Sequence, residues 1–146
     1  MKSINPYINL NGNAEDAFKF YQRIFGGEVQ MMRYVDLKDN MGLTGDDLNM
    51  VANAMLPLVG DTVLYGSDIP TKFRQDVPKS DNMHDKIQIN IEADSAEEGE
   101  QLFNALSDGG KITMDFQETE WAERFGQCED MYGVQWMVMF TGNKIM

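Results

Sequence analysis

Hydrophobic and polar positions follow two different periods along this chain. Over residues 134–140 the period is two. Val134, Trp136, Val138 and Phe140 fall on one side; Gln135, Met137 and Met139 fall on the other. Earlier, Ala14, Ala17, Phe18, Tyr21, Ile24 and Phe25 form an apolar stripe at helical spacing. Asn13 precedes that stripe as an N-cap, acids occupy its first turn, and Gly26 follows as a left-handed stop. A second helix packs through Ala96, Leu102, Phe103 and Leu106, with Ser95 as N-cap and Gly109 as stop. Further strands are predicted over 28–35, 51–58, 62–67, 111–118 and 121–128, with a hairpin tip at Gly60-Asp61.

The pattern occurs twice. "INLNGNAEDAFKFYQRIFGGEV" from Ile8 and "INIEADSAEEGEQLFNALSDGGKI" from Ile89 share a strand, a capped helix, a Gly-Gly stop and a second strand. Two single-residue insertions account for the drift between them. Each copy reads βαβββ. The chain divides into modules 1–68 and 86–146, joined by loop 69–85, within one domain of 146 residues. Residues 36–50 read as a polar loop.

Composition narrows the function classes. The 24 acids against 12 bases leave a net charge of −12, which phosphate backbones repel, so nucleic acid is not an expected partner. No apolar run is long enough to span a membrane. "MKSINPYINL" has no apolar segment followed by a small-residue cleavage site. The only cysteine, Cys128, cannot form an internal disulfide. These features point to a cytoplasmic protein.

A doubled βαβββ order in this length resembles the vicinal oxygen chelate superfamily of glyoxalases, bleomycin-resistance proteins and extradiol dioxygenases. Three stretches resemble its PhnB-like branch: "INPYINLNGNAEDAFKFYQRIFGGEV", "TVLYGSD" and "TEWAERFGQCEDMYGVQWMV". The resemblance implies an α+β fold of two tandem βαβββ modules, whose curled mixed sheets enclose a cavity, and a homodimer. Metal enzymes of that superfamily hold a divalent ion with His, Gln or Glu from the first and fourth strands of each module. Here those positions fall at Pro6 or Tyr7, near Tyr65, at Lys86 or Gln88, and at Met137. Gln88 alone is not a metal site. No metal and no cofactor is therefore expected.

In that fold Ile4, Ile8, Leu10, Ile87, Ile89 and Ile91 pack on helices. Tyr7, Asn9, Tyr65, Gln88, Asn90, Gln135, Met137 and Met139 line the cavity, with Trp121 and Phe125 at its rim or at the dimer interface. Amides, phenols and thioethers stack, hydrogen-bond and adapt, but do not activate water. Met31, Met32, Met55 and Met114 are read as core filling. Cys128 is read as a small core residue, His84 as a surface residue, and Glu118, Glu120 and Glu123 as solvated. The expected function is metal-free binding of a small, partly aromatic or cationic molecule, with no catalytic residue identified. The alternatives are a metal-dependent lyase or dioxygenase of the glyoxalase type, and a drug-sequestering resistance protein.

Overall fold

The computed structural model describes residues 1–76 and 87–144. It divides into two units, Met1–Lys79 and Ser80–Met146. The first holds β1 (Tyr7–Leu10), α1 (Ala14–Phe25), β2 (Gln30–Arg33), β3 (Val51–Pro57) and β4 (Val63–Asp68). The second holds β5 (Ile89–Glu92), α2 (Ala96–Ser107), β6 (Lys111–Gln117), β7 (Arg124–Glu129) and β8 (Gln135–Phe140). Each unit is one helix and one four-stranded mixed sheet, ordered β1-β4-β3-β2 and β5-β8-β7-β6. The outer pairs β1·β4 and β5·β8 are parallel; the others are antiparallel. The βαβββ order read from the periodicity is the observed one. Residues 34–36, 45–49 and 71–76 add short 3-10 turns.

In unit one, α1 buries Ala14, Ala17, Phe18, Phe20 and Tyr21. The stripe meets Leu10, Ala54, Leu56 and Leu64, all buried. Gly66 is required at this contact. A Cβ there would stand 2.7 Å from the Phe18 ring and 2.9 Å from the Ile8 side chain, so the helix seats directly on the β4 backbone. In unit two, Phe103 and Leu106 of α2 are buried, as are Cys128, Trp136 and Val138 of the sheet. The strand phase predicted for residues 134–140 holds, because Trp136 and Val138 are almost fully buried while Met137 between them is half-buried.

Two helix-packing expectations fail. Ile4 and Ile87 are each 82% exposed, because β1 begins only at Tyr7 and β5 only at Ile89. Outside the ladder neither position is held over a helix. Core filling by methionine fails as well. Met32 (47% exposed) and Met114 (36%) lie on the edge strands β2 and β6, and Met31 and Met55 are half-buried.

The start of α1 is also built differently from the sequence expectation. Asn13 makes no capping bond through its side chain. Its work is done by Asp68 at the end of β4, which is 2% exposed. Asp68 Oδ1 accepts from the backbone N–H of Gly12 (2.8 Å) and Ala14 (2.9 Å), and Oδ2 from that of Val51 (3.0 Å). The Asp68 carbonyl accepts from the Tyr34 hydroxyl at 2.9 Å. One carboxylate thus joins β4, the turn into α1 and the start of β3. In unit two the expected local cap is present: Ser95 Oγ accepts from Glu98 N–H at 3.0 Å. Glu98 reaches back to the Asp94 N–H at 2.8 Å.

The two N-termini therefore differ in what a substitution removes. Asp68→Ala strands two buried N–H donors, Ala14 and Val51, and frees that of the exposed Gly12; each buried donor costs about 1–3 kcal/mol when unsatisfied, so a loss of roughly 3 kcal/mol is expected. Asn13→Ala, at an exposed position with no capping bond, should stay within about 0.5 kcal/mol of the parent. Urea denaturation of the two variants checks the order. A costlier Asn13→Ala would return the cap to Asn13.

Candidate functional site

Each sheet spends one face on its own helix, and strand alternation assigns the remaining side chains to the far face. In unit one the ladder sets Tyr7 beside Tyr65, Tyr65 beside Met55, and Met55 beside Gln30. The Tyr7 and Tyr65 rings are stacked, with centroids 6.5 Å apart and planes 12° apart. Asn9 is exposed on the same face, in register with Ser67. Tyr7 is half-exposed, and Tyr65 and Met55 are half-buried.

In unit two the corresponding row is Asn90, Met137, Gln127 and Met114. The Gln127 amide donates to the Met137 sulfur at 3.5 Å. On one side of this row Gln135 pairs with Glu129. On the other, Glu92 pairs with Met139 and Met139 with Phe125. Gln88, half-buried, precedes β5 by one residue. The far face thus alternates amide and thioether, with aromatics at one end.

That aromatic end is partly covered. Met139 (7% exposed), Phe125 (6%) and Ala122 form a small cluster against which Met137 packs. The residue 119–122 turn closes over it, held by Thr119 N–H to the Ala122 carbonyl at 3.0 Å and Ala122 N–H to Thr119 Oγ1 at 3.2 Å. Trp121, 40% exposed, meets Phe125 edge to face at 5.3 Å. The two residues read together as rim aromatics therefore separate. Trp121 is exposed, and Phe125 is buried because the turn folds Ala122 down beside it.

The turn before β8 explains the "DMYGVQW" stretch. Asp130, 2% exposed, accepts at Oδ1 from the N–H of Tyr132 (2.9 Å) and Val134 (3.0 Å). Its Oδ2 accepts from the Trp136 indole at 2.8 Å. This bond fixes the β8 phase, and with it Met137 on the far face.

The donors present do not suit a divalent ion. Of the residues that the superfamily resemblance assigns to ligand positions, Tyr7 and Tyr65 stand ring on ring, Met137 carries a sulfur that already accepts an amide proton, and Gln88 offers a single amide. Hard ions take carboxylate, imidazole or several carbonyl oxygens instead. Among the described residues no three His, Cys, Asp or Glu side chains group so as to hold a metal. Burial raises the Cys128 thiol to about 11, with Asp130 adding to the shift, so the sulfur is a neutral core atom rather than a nucleophile. Glu118 pairs with Lys144 at 2.9 Å and Glu123 Oε2 accepts from Asn143 N–H at 2.6 Å; Glu120 is solvated. His84 and Lys86 lie outside the described residues.

The sequence reading missed Met55, Gln127, Glu92 and Met114 as far-face residues. Their signal was cross-strand register, which a single strand's periodicity does not carry.

The family described as 3-demethylubiquinone-9 3-methyltransferase matches residues 2–139. A crystal structure of protein PA1353 from Pseudomonas aeruginosa shares 33% identity and a TM-score of 0.78, over 94% of this chain and 96% of that one. A curated relative, Protein YjdN from Escherichia coli K12, is 28% identical over 92% of each chain. A Bacillus cereus structure described as a putative 3-demethylubiquinone-9 3-methyltransferase, PhnB protein, matches at 23% identity and TM-score 0.70, over 94% and 98% of the two chains. The fold recurs among glyoxalase/bleomycin resistance/dioxygenase proteins at 14% identity and a TM-score of 0.63. No described helix is long and apolar enough to cross a membrane.

Stability separates face from core along β8. Val138→Ala removes a fully buried side chain over α2, at about 2 kcal/mol, and Met139→Ala opens the Phe125 cluster at about 2–3 kcal/mol. Met137→Ala, half-buried on the far face, should cost only about 1 kcal/mol. Urea denaturation of the three variants is the check. Met137→Ala as the most costly would reverse the phase.

Proposed function

Because the chain belongs to the 3-demethylubiquinone-9 3-methyltransferase family, in its PhnB-like form with the glyoxalase/bleomycin resistance/dioxygenase fold, we propose that it binds a small aromatic or cationic molecule on its far faces, without a resident metal. The observation that carries this is the pair of rows Tyr7–Tyr65–Met55 and Asn90–Met137–Gln127. They include Tyr7, Tyr65 and Met137, which the superfamily resemblance assigns to ligand positions, and they offer ring faces, amides and sulfurs. Such a surface recognises a ligand by stacking, dispersion and a few hydrogen bonds. The ring faces, amides and sulfurs of these rows neither generate hydroxide nor act as a general base at neutral pH. The family's description names a methyl transfer, but stacking rings, amides and thioethers do not activate a methyl donor. Sequestration of a drug is a special case of the same binding.

Plasma emission on protein purified without chelator should find well under one Zn, Ni, Fe or Mn per chain. A thermal-shift screen of neutral and cationic aromatics should raise Tm for the parent, and less for Tyr65→Ala or Met137→Glu. A near-stoichiometric metal whose removal lowers Tm would sink the metal-free reading, and ligands that stabilise both variants as well as the parent would sink the far-face reading.

The protein is also proposed to be a homodimer. Edge strands β2 and β6 leave backbone donors and acceptors unpaired within their sheets, and Ile112 on β6 is 48% exposed. Open edges are covered in stable proteins. Sedimentation equilibrium should return about twice the chain mass of 16.6 kDa at micromolar concentration. A monomer there would overturn the homodimer.

A further inference from the structure

One end of the unit-two far face carries a fixed carboxylate. Glu92 ends β5, exposed on the same face as Asn90 and in register with Met139. Its Oε2 accepts from the Thr141 N–H at 2.9 Å, and its Oε1 accepts from the Thr141 hydroxyl. Each oxygen keeps a second lone pair, so the group is anchored without being neutralised. Next across the sheet come Met139 and Phe125, and Trp121 stands edge to face on Phe125 at 5.3 Å with 40% of its surface exposed. Of the acids on elements around it, Asp94 and Glu120 are exposed, and Glu129 is half-buried on the same face, two positions along β7 from Gln127. Glu118 is paired with Lys144, Glu123 is bonded to Asn143 N–H, and Arg124 donates to the Glu123 carbonyl at 2.7 Å. No ion pair to Glu92 is formed among the described residues.

We infer that Glu92 and Trp121 form a subsite for an organic cation carrying a flat or methylated positive group. The inference rests on the far face being the ligand surface, and adds the charge of the ligand. A carboxylate held by two donors loses little orientational freedom on binding. An exposed indole attracts a cation over its ring face. The buried Met139 and Phe125 lie between them in the ladder, and the chain's net charge of −12 favours cations at longer range. An anionic ligand would meet Glu92 unscreened.

The test is isothermal titration calorimetry with 1-methylquinolinium, its neutral counterpart quinoline, and the anion 2-naphthoate. The cation should bind the parent at least fivefold more tightly than quinoline, with 2-naphthoate weakest. Its affinity should fall as NaCl rises from 20 to 300 mM, roughly as a surface charge contact does. Glu92→Gln keeps an acceptor for Thr141 and should remove the preference for the cation. Trp121→Leu should weaken cation and quinoline alike. Thermal melts confirm that both variants fold, and the isostere ranking and salt response of the parent decide the matter if either does not. Quinoline binding as tightly as the cation, an affinity indifferent to salt, or no binding of the cation at all overturns the subsite. If quinoline binds the parent and Met137→Glu abolishes it while Glu92→Gln leaves it unchanged, the subsite falls and the far-face ligand surface stands.

Discussion

A four-stranded sheet with one helix can bury only one of its faces on that helix. Each unit obeys this limit. Side chains at alternate positions meet the helix or turn away from it, and the two sets differ sharply in chemistry. The helix side holds Phe18, Leu56 and Leu64 in one unit, and Phe103, Trp136 and Val138 in the other. The far side holds phenols, amides and thioethers. Dispersion and water exclusion on the first side fix the register, so the second side is placed without having to stabilise itself.

Two buried carboxylates keep that register where the ladder alone would fray. Asp68 gathers three backbone donors from two separate segments, and Asp130 gathers two from its own turn and the Trp136 indole. A buried charge is costly when unpaired and stabilising when its lone pairs are filled. Both aspartates accept three hydrogen bonds, so each acts as a joint rather than a defect. The joints act at different ranges. Asp68 bonds residues 17 to 56 positions away in sequence, whereas Asp130 works within six.

The far faces follow from these joints. Asp130 holds Trp136 inward, which turns Met137 outward beside Gln127 and Asn90. The glyoxalase/bleomycin resistance fold is thereby kept, with soft, uncharged side chains in the central rows of its far faces. A sulfur that already accepts an amide proton and two stacked phenols suit a ligand recognised by shape and polarisability. Glu92, held by Thr141, brings a carboxylate to the unit-two face at the end where the aromatics are.

Sequence alone determined what depends on near neighbours. Helical and two-residue periods, the repeat at a separation of about eighty residues, the hairpin at Gly60 and the burial of Cys128 were all legible, because local backbone geometry sets which side chains share a face. The inward phase of Trp136 and Val138 belongs here too. Only the tertiary structure decided features that need two distant segments. The cap on α1 comes from Asp68 rather than the adjacent Asn13, since a side chain 54 residues away offers a better-placed acceptor. Phe125 is buried because the 119–122 turn closes over it, and Ile4 and Ile87 are exposed because their strands start later than the apolar pattern does. Glu92, Met139 and Phe125 meet through the register of three strands. No periodicity within one strand encodes which residue lies beside it on the next, because that choice is made by packing and turns acting together.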